Sequence, residues 1–299
     1  IRRPPAVSSR PRRRARSLRK LPVANARRYP RAASSSESKT HLVHTFLRIV
    51  ALASLLTSCT SLSVIPRYGQ LDLGGSVGIN SSSSGSSAKN DYKAIGLQDD
   101  SSVPSGRVDL EVGGMHTTLA ISESSHGGSG TLESAISDGT TTIPAGTSVN
   151  SDLDVVLGEA MVTWDLVPGD LVEAGIGVGA STFDFDARIT DPGTSQSVGA
   201  HTFLPIPVVT GRVGLDFGRF DASVLAGGMD LHIDGKDATL FDLDFMARLK
   251  IFGAVGKRVG AIVAGYRYID LKVDYSDSNK VVDSTTRLSG PYVGLSIGF

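Results

Sequence analysis

The chain has 299 residues, of which 40% are hydrophobic and 34 are glycine, so it is long enough for one or two domains. Its formal net charge of zero hides a separation, because 14 of the 30 basic residues but only one of the 30 acidic residues lie between Arg2 and Arg48. The remaining chain is acidic, which argues against nucleic acid as a partner. The single cysteine, Cys59, excludes an internal disulfide and a multi-cysteine metal site.

The first 40 residues are rich in Arg, Pro, Ser and Ala and show no apolar periodicity. Such a segment cannot bury enough surface to offset its chain entropy, so residues 1–40 are predicted to be disordered. The chain starts at Ile1 and has no methionine before Met115, and we therefore expect this basic head to lie outside the natural product. The alternative is a basic arm that binds nucleic acid or anionic lipid.

Residues 41–59 have the character of a secretion signal. An apolar run of eight residues, 49–56, follows Arg48, which is too short for a membrane-spanning helix but suits the hydrophobic region of a signal peptide. The four residues Leu-Thr-Ser-Cys that end at Cys59 resemble the lipobox of bacterial lipoproteins, and the resemblance implies lipidation of Cys59. Ordinary signal cleavage close to Cys59 is the alternative.

From Leu71 onward, apolar and polar residues alternate with the period of two that is typical of β-strands. The first predicted strand has its apolar residues between 71 and 79, and a long polar loop, 80–106, follows it. In the second strand the apolar residues change face at Gly113 and Gly114, which indicates a β-bulge. The third strand is predicted around residues 131–137.

Seven further strands follow with clearer alternation, and the last ends at Phe299. Their connections alternate between short turns and longer polar loops, such as residues 184–200 and 276–286. In strand seven the apolar residues change face at Gly227 and Gly228. Ten strands are therefore predicted, and no helical period of useful length is present outside the signal region, which leaves βαβ folds unsupported.

One face of the closing strand is apolar, and the other consists mainly of small residues. Its apolar face consists of Pro291, Val293, Leu295, Ile297 and Phe299. The order Gly294, Ile297, Phe299 resembles the terminal signal of bacterial outer-membrane β-barrels, in which a strand with a glycine, alternating apolar residues and a final aromatic is read by the barrel-assembly machinery. The resemblance implies that this machinery is a partner of the chain.

Residues 265–268, Gly-Tyr-Arg-Tyr, resemble a segment of small outer-membrane barrels. With the closing strand, they make residues 68–299 similar to OmpA-like, OmpX-like or OmpW-like proteins. The resemblance implies an all-β fold over residues 60–299, a single closed antiparallel up-and-down transmembrane β-barrel of about ten strands in the bacterial outer membrane, with eight strands as the alternative. A soluble β-sandwich or lipocalin-like barrel also alternates, but we expect the apolar face to meet lipid.

If the apolar face meets lipid, charged residues of the other face line the lumen. They are Glu111, Glu159, Glu173, Arg212, Asp216, Asp242, Asp244, Arg248, Lys250 and Arg267. Enclosed charges of both signs must pair, because an unpaired buried ion costs several kcal/mol, so we expect a salt-bridge network that blocks passage. The alternatives are a charged constriction in a small pore and, by the OmpW-like resemblance, a channel for small hydrophobic molecules.

The role expected from these features is structural or surface interaction by a monomer, with outer-membrane lipid and lipopolysaccharide as further partners. No cofactor and no metal site are expected, since Walker, Gly-x-Ser-x-Gly and metal motifs are missing from the sequence. Hydrolysis of lipid A or phospholipid is an alternative that needs a base beside a nucleophile or an activated water. The histidine considered for it is His232, which lies between Asp230 and Asp234 and is predicted to face inward.

Overall fold

The computed structural model describes residues 60–80, 89–97, 100–167, 169, 171–233, 236–252, 259–276 and 281–299. These residues form ten long strands and three strands of two residues. The strands are β1 (Thr60–Asn80), β2 (Asn90–Asp91), β3 (Asp100–Val112), β4 (Met115–Thr131), β5 (Ile136–Ser137), β6 (Thr142–Ile143), β7 (Ser148–Val167), β8 (Val172–Asp191), β9 (Gln196–Asp216), β10 (Phe220–Ile233), β11 (Lys236–Phe252), β12 (Val259–Ser276) and β13 (Val281–Gly298). Among the described residues no helix has the length and apolarity to cross a membrane.

The ten long strands form one closed antiparallel ring. Each pairs with its neighbours in the chain, in the order β13-β12-β11-β10-β9-β8-β7-β4-β3-β1, and β1 also pairs with β13. The closure places Val64 opposite Ile297. Closure leaves no long edge strand with unpaired backbone groups, which is the condition for a sheet to lie in hydrocarbon. The predicted ten-stranded antiparallel barrel is therefore confirmed.

The count of ten was reached through two wrong strand assignments that cancel. Gly113 and Gly114 do not form a bulge but the turn of a hairpin, in which both have positive φ (54° and 80°) and β3 pairs back on β4. The predicted second strand is thus two strands, because glycine can adopt the left-handed backbone of a tight turn. The predicted third strand, 131–137, is not a barrel strand, since it holds only the end of β4 and the short β5.

The predicted polar loops are shorter than expected because the strands continue into them. Strand β8 ends at Asp191 and β9 begins at Gln196, so most of residues 184–200 is sheet. Residues 276–286 belong mainly to β13, and the loop predicted at 80–106 contains β2 and the first part of β3. Polar composition led to a loop prediction here, whereas in an antiparallel sheet one polar face is compatible with a strand.

One half of the barrel has an apolar exterior, which we call the belt. The belt extends from the end that holds Phe299 to the level of Phe241. Within it Phe241, Phe245, Ile297 and Phe299 are 47%, 43%, 47% and 56% exposed. In water such a surface would be costly, whereas in a bilayer it contacts acyl chains. Aromatic residues lie towards both margins of the belt. On the side of Phe299 they are Trp164, Phe217, Phe220 and Phe252, and on the other side they include Tyr68, Phe203, Phe241 and Tyr268.

In the other half, which we call the outer half, the two faces exchange character. On β1 the outward residues change from Tyr68 to the polar Gln70 and Asp72, while the inward residues become Leu71 and Leu73, both buried. The change falls at the same level on neighbouring strands, because β1 and β13 pair Tyr68 with Val293 in the belt and Asp72 with Ser289 beyond it. The apolar residues predicted at 71–79 therefore face inward, and the expectation that they meet lipid is wrong.

The length of the strands explains why the two halves of the barrel differ in character. Most of the long strands have 17 to 21 residues, whereas a strand needs about 9–11 residues to cross a bilayer. The remaining residues project beyond the membrane into water, where an apolar interior and a polar exterior are stable. The barrel thus consists of a membrane-embedded belt half and an outer half with a hydrophobic core. That core includes Leu73, Ile79, Leu153, Phe183, Ile206, Leu240 and Leu271.

Candidate functional site

A carboxylate from β11 joins two arginines across the lumen at its middle level. Asp244 Oδ2 accepts hydrogen bonds from Arg67 Nη1 at 2.8 Å and from Arg107 Nη1 at 3.0 Å. Its Oδ1 accepts a hydrogen bond from Tyr292 Oη at 2.6 Å, and the Arg67 guanidinium lies 4.8 Å from the centre of the Tyr292 ring. Strands β1, β3, β11 and β13 are thereby tied together through side chains as well as through the sheet.

A second arginine cluster lies beside it. Arg267 on β12 donates to both oxygens of Asp242, from Nε at 2.9 Å and from Nη2 at 2.6 Å, and the same guanidinium contacts Glu159 on β7. Arg107 is also held by Asp109, with Nε and Oδ1 2.8 Å apart. We call these residues the charged layer: Arg67, Arg107, Asp109, Glu159, Asp242, Asp244, Arg267 and Tyr292. Three guanidinium groups meet four carboxylates there, which meets the need for pairing in a low-dielectric interior.

Two smaller clusters lie between the charged layer and the end of the barrel that holds Phe299. In one, Arg248 Nε donates to Asp221 Oδ1 at 2.5 Å, and Lys250 Nζ donates to Asp216 Oδ2 at 2.8 Å. These residues share one wall, formed by β9, β10 and β11. Because Asp221 is buried, its pairing with Arg248 satisfies a charge that would otherwise be costly.

The other cluster contains His116 and two carboxylates. His116 Nε2 lies 3.0 Å from Asp165 Oδ2 and 3.9 Å from Glu173 Oε2. Arg212 lies on the far side of both acids, in contact with Glu173 Oε1 and with Nη1 3.8 Å from Asp165 Oδ1. His116 and Arg212 line a cavity of about 390 Å³ that is also lined by the chain end at Phe299.

The outer half contains an apolar chamber that the connecting segment between β1 and β3 partly fills. Tyr92, Ile95 and Leu97 of that segment are buried within it, and the Tyr92 hydroxyl forms hydrogen bonds with Thr286 at 2.8 Å and Ser284 at 3.1 Å. A cavity of about 90 Å³ remains, several times the volume that admits one water molecule. Its walls are mainly aliphatic and aromatic, and include Ile79, Leu153, Phe185, Ile189, Leu204 and Leu271.

The ten charged residues predicted to line the lumen divide among these groups. Four lie in the charged layer: Glu159, Asp242, Asp244 and Arg267. Glu173 and Arg212 belong to the His116 cluster, and Asp216, Arg248 and Lys250 to the cluster around Asp221. Glu111 lies apart, in the exposed part of the wall, where it accepts a hydrogen bond from Ser61 at 3.1 Å.

Sequence reasoning missed several charged residues of the lumen. The missed residues are Arg67, Arg107, Asp109, His116, Asp165 and Asp221. Arg67 and Arg107 were lost because the first two strands begin earlier than predicted. The signal was present, since Arg67 has the same alternation phase as Leu71 and precedes a tyrosine, as Arg267 does.

The residues predicted to form an assembly signal, and His232, are placed by the strands that carry them. Gly294 faces the lumen, where an added Cβ would lie 2.5 Å from the Pro66 carbonyl oxygen, while Ile297 and Phe299 point outward from the belt. His232 points outward from the outer half, with its side chain 66% exposed and Nδ1 3.7 Å from Asp230 Oδ1. The predicted inward position of His232 is therefore wrong. Residues 1–40 and 41–59, with Cys59, lie outside the described residues.

The fold has a counterpart among solved structures. The outer membrane protease OmpT from Escherichia coli overlays on the chain with a TM-score of 0.54, covering 81% of this chain and 98% of that one at 9% sequence identity. A FadL homologue from Pseudomonas aeruginosa (TM-score 0.32, 10% identity, 81% of this chain and 90% of that one) and Ail from Yersinia pestis (0.29, 9%, 79% and 99%) overlay too loosely to support an argument. No protein-family model and no curated protein sequence matches the chain.

At 9% identity the overlay on OmpT shows a shared fold and not a shared activity. The belt independently supports a membrane-spanning fold, because a closed sheet with an apolar exterior is what a protein built of strands needs in a bilayer. The closed ring of ten strands, its belt and this overlay identify the chain as a transmembrane β-barrel of the bacterial outer-membrane class.

Proposed function

We propose that the chain is a sealed outer-membrane barrel that does not conduct ions and whose role is to present its outer half at the cell surface. The observation that supports this proposal is the charged layer. Arg267 with Glu159, and Arg107 with Asp244, bridge strands that are not neighbours in the ring, so side chains occupy the middle of the lumen. The apolar core of the outer half adds a second obstruction to hydrated ions, which would have to lose water there.

Conductance across a planar bilayer tests the proposal. The purified barrel is expected to give no stable open channel. The double variant Arg107→Ser with Asp244→Ser removes one charge of each sign from the charged layer and is expected to increase leak. Its matched control is Arg287→Ser with Asp270→Ser, a pair on the outer wall whose atoms lie 3.2 Å apart. A reproducible open conductance of the unaltered barrel would contradict the proposal.

The second candidate function is binding of a small apolar molecule in the outer half, and it rests on the chamber of about 90 Å³. Apolar walls with a few polar groups are the usual character of small-molecule sites. Fluorobenzene is a suitable probe, with binding followed by the width of its ¹⁹F resonance. Leu204→Trp is expected to fill the chamber and remove the broadening. The control, Val178→Trp, adds the same side chain to the belt, and equal effects of the two variants would exclude the chamber as the site.

The remaining parts of the proposal concern assembly and surroundings. The belt supports contact with outer-membrane lipid, and we include lipopolysaccharide and the barrel-assembly machinery among the partners of a monomeric barrel. Removal of Phe299 is expected to slow insertion, while lipidation of Cys59 would be detected by mass spectrometry of the mature amino-terminus. Hydrolysis is not part of the proposal, because His232 and Asp230 project from the outer wall with both side chains about two-thirds exposed.

A further inference from the structure

We propose that His116, Asp165 and Glu173 bind one divalent transition-metal ion, of the zinc class, inside the end of the barrel that holds Phe299. One imidazole nitrogen and two carboxylate oxygens, one atom from each residue, lie within 4.8 Å of one another. The residues come from β4, β7 and the start of β8, which are adjacent in the ring. This site is independent of whether the barrel conducts, and it goes beyond the role proposed above.

The separations of the ligand atoms suit a small ion. Zinc binds nitrogen and oxygen ligands at about 2.0–2.2 Å with tetrahedral geometry, which places any two ligand atoms about 3.3–3.6 Å apart. The His116–Asp165 and His116–Glu173 separations, 3.0 and 3.9 Å, lie on either side of that value. Small rotations of the two acids would therefore bring the three atoms to a common centre.

Arg212 orients the two acids for this role. Its guanidinium contacts Glu173 Oε1 and lies near Asp165 Oδ1, which leaves Glu173 Oε2 and Asp165 Oδ2 directed towards His116. Partners that hold the second oxygen of a ligating carboxylate are the usual outer shell of a metal site. Two carboxylates and one guanidinium also leave a net negative charge, which favours a cation.

The side of the cluster that faces Arg212 is loosely paired, with Arg212 Nη1 3.8 Å from Asp165 Oδ1. Among the residues that the structure describes, Asp165 Oδ1 and Arg212 Nη1 are buried and lack a hydrogen-bond partner. Native proteins pair the great majority of buried polar side-chain atoms. A bound ion would draw Asp165 and Glu173 into fixed positions, and the cavity of about 390 Å³ beside His116 leaves space for a water molecule as fourth ligand.

The sheet register makes room for the site. Gly175 pairs with Asp165 on one side and with Arg212 on the other, so the residue between these two side chains has none of its own. A Cβ at Gly175 would lie 2.8 Å from the Trp164 carbonyl oxygen and 3.5 Å from Asp165 Oδ1. A side chain larger than hydrogen would thus clash with the main chain at Trp164 and would lie in van der Waals contact with Asp165.

The ligand set favours the zinc class over calcium or magnesium. Those ions prefer sites made of oxygen atoms only, whereas imidazole suits Zn²⁺ and its neighbours in the first transition row. His116 Nε2 binds the ion through its lone pair, which requires the hydrogen of the neutral imidazole to be on Nδ1. Asp165 then neutralises part of the charge of the ion.

Zinc titration of the detergent-solubilised barrel, stripped of metal with a chelator and dialysed, tests the proposal. Isothermal calorimetry with ZnCl₂ is expected to show one ion per chain, and Co²⁺ is expected to give the intense visible absorption of a four-coordinate site. His116→Ala should abolish both signals. His116→Gln keeps a hydrogen-bonding side chain and should abolish them as well, which covers the case in which the alanine variant does not fold.

Two further variants separate the site from adventitious binding. Arg212→Gln is expected to weaken zinc affinity by about 10- to 100-fold, as loss of an outer-shell partner does. His201→Ala is the matched control, since His201 lies 2.9 Å from Asp184 in an exposed pair on the outer wall. Absence of zinc binding by the unaltered barrel, or equal binding by the His116 variants, would overturn the proposal, as would loss of binding in His201→Ala.

Discussion

Arg267 and Glu159 connect opposite walls of the barrel. Arg267 lies on β12 and Glu159 on β7, which are five places apart in a ring of ten strands, and both side chains are more than nine-tenths buried. Such a contact holds the width of the barrel fixed. Loss of this contact would destabilise both walls, because the charge that remains is enclosed with fewer partners.

Arg267→Met is expected to lower the free energy of unfolding by about 3–5 kcal/mol, since it leaves Glu159 and Asp242 as uncompensated buried charges. Urea unfolding of the barrel in lipid vesicles would measure the change. The control is Arg287→Met, which breaks an ion pair with Asp270 on the outer wall and should change stability by less than about 1 kcal/mol. Equal losses in the two variants would contradict an enclosed role for Arg267.

Leu295→Lys tests the lipid contact of the belt. Leu295 is outward and exposed near the middle of the apolar part of β13, and a lysine at the bilayer midplane of a barrel costs about 2–4 kcal/mol. The same unfolding measurement applies. Ser197→Lys places the same charge on the exterior of the outer half, where water is available and little change is expected. If Ser197→Lys were the more destabilising variant, the outer half and not the belt would be the part that contacts lipid.

The exchange of faces on β1 is tested by two neighbouring positions. Leu71 is buried inside the outer half and Gln70 is exposed outside it. Leu71→Lys encloses an unpaired charge and should cost several kcal/mol, whereas Gln70→Lys should stay within about 0.5 kcal/mol. A strand whose apolar residues all met lipid would make Gln70→Lys costly as well, because Gln70 would then be the enclosed position.

Alkaline pH is expected to detach the segment around Tyr92 from the apolar chamber of the outer half. Burial raises the pKa of the Tyr92 hydroxyl above its ordinary value, although its hydrogen bonds with Ser284 and Thr286 act in the other direction. Since the folded state holds the proton more tightly, the stabilisation is complete below about pH 10, the usual tyrosine pKa, and is lost as pH rises through the higher folded value. Limited proteolysis between pH 8 and 11 would follow this release.

Tyr92→Phe separates the hydroxyl from the ring. The phenylalanine keeps the packing but loses the hydrogen bonds with Thr286 and Ser284, and should cost about 0.5–1.5 kcal/mol at neutral pH. The alkaline loss of protection should disappear, since the side chain no longer ionises. Unchanged alkaline sensitivity in Tyr92→Phe would assign that sensitivity to another group.

The sequence was sufficient to predict the barrel because its alternation has a period of two over most of the chain. The closing strand, with Leu295, Ile297 and Phe299 on one face, already indicated which of its residues form the belt. The exchange of faces was visible as well, at Gly227 and Gly228, where the apolar residues of β10 change phase. Strand β10 pairs there without a register shift. The phase change therefore marks the margin between the belt and the outer half, and not a bulge.

The clusters of the lumen could be predicted only in part. Alternation shows that Glu173 and Arg212 face inward, but which strands lie opposite each other depends on the register and on the closure between β1 and β13. His116, Asp165 and Glu173 are separated by up to 57 positions in the chain, and no local motif links them. Their proximity follows from the hairpin at Gly113 and Gly114, which the sequence pattern had suggested to be a bulge.

The continuity of the strands through the margin of the belt has a mechanical consequence. Strand β7, from Ser148 to Val167, crosses that margin without a break in its pairing with β4, and the same holds for β12 beside β13. There is no joint in these strands at which the projecting part could bend. A force applied at the rim of the outer half would therefore tilt the whole barrel in the membrane, and the end that holds Phe299 would move with it.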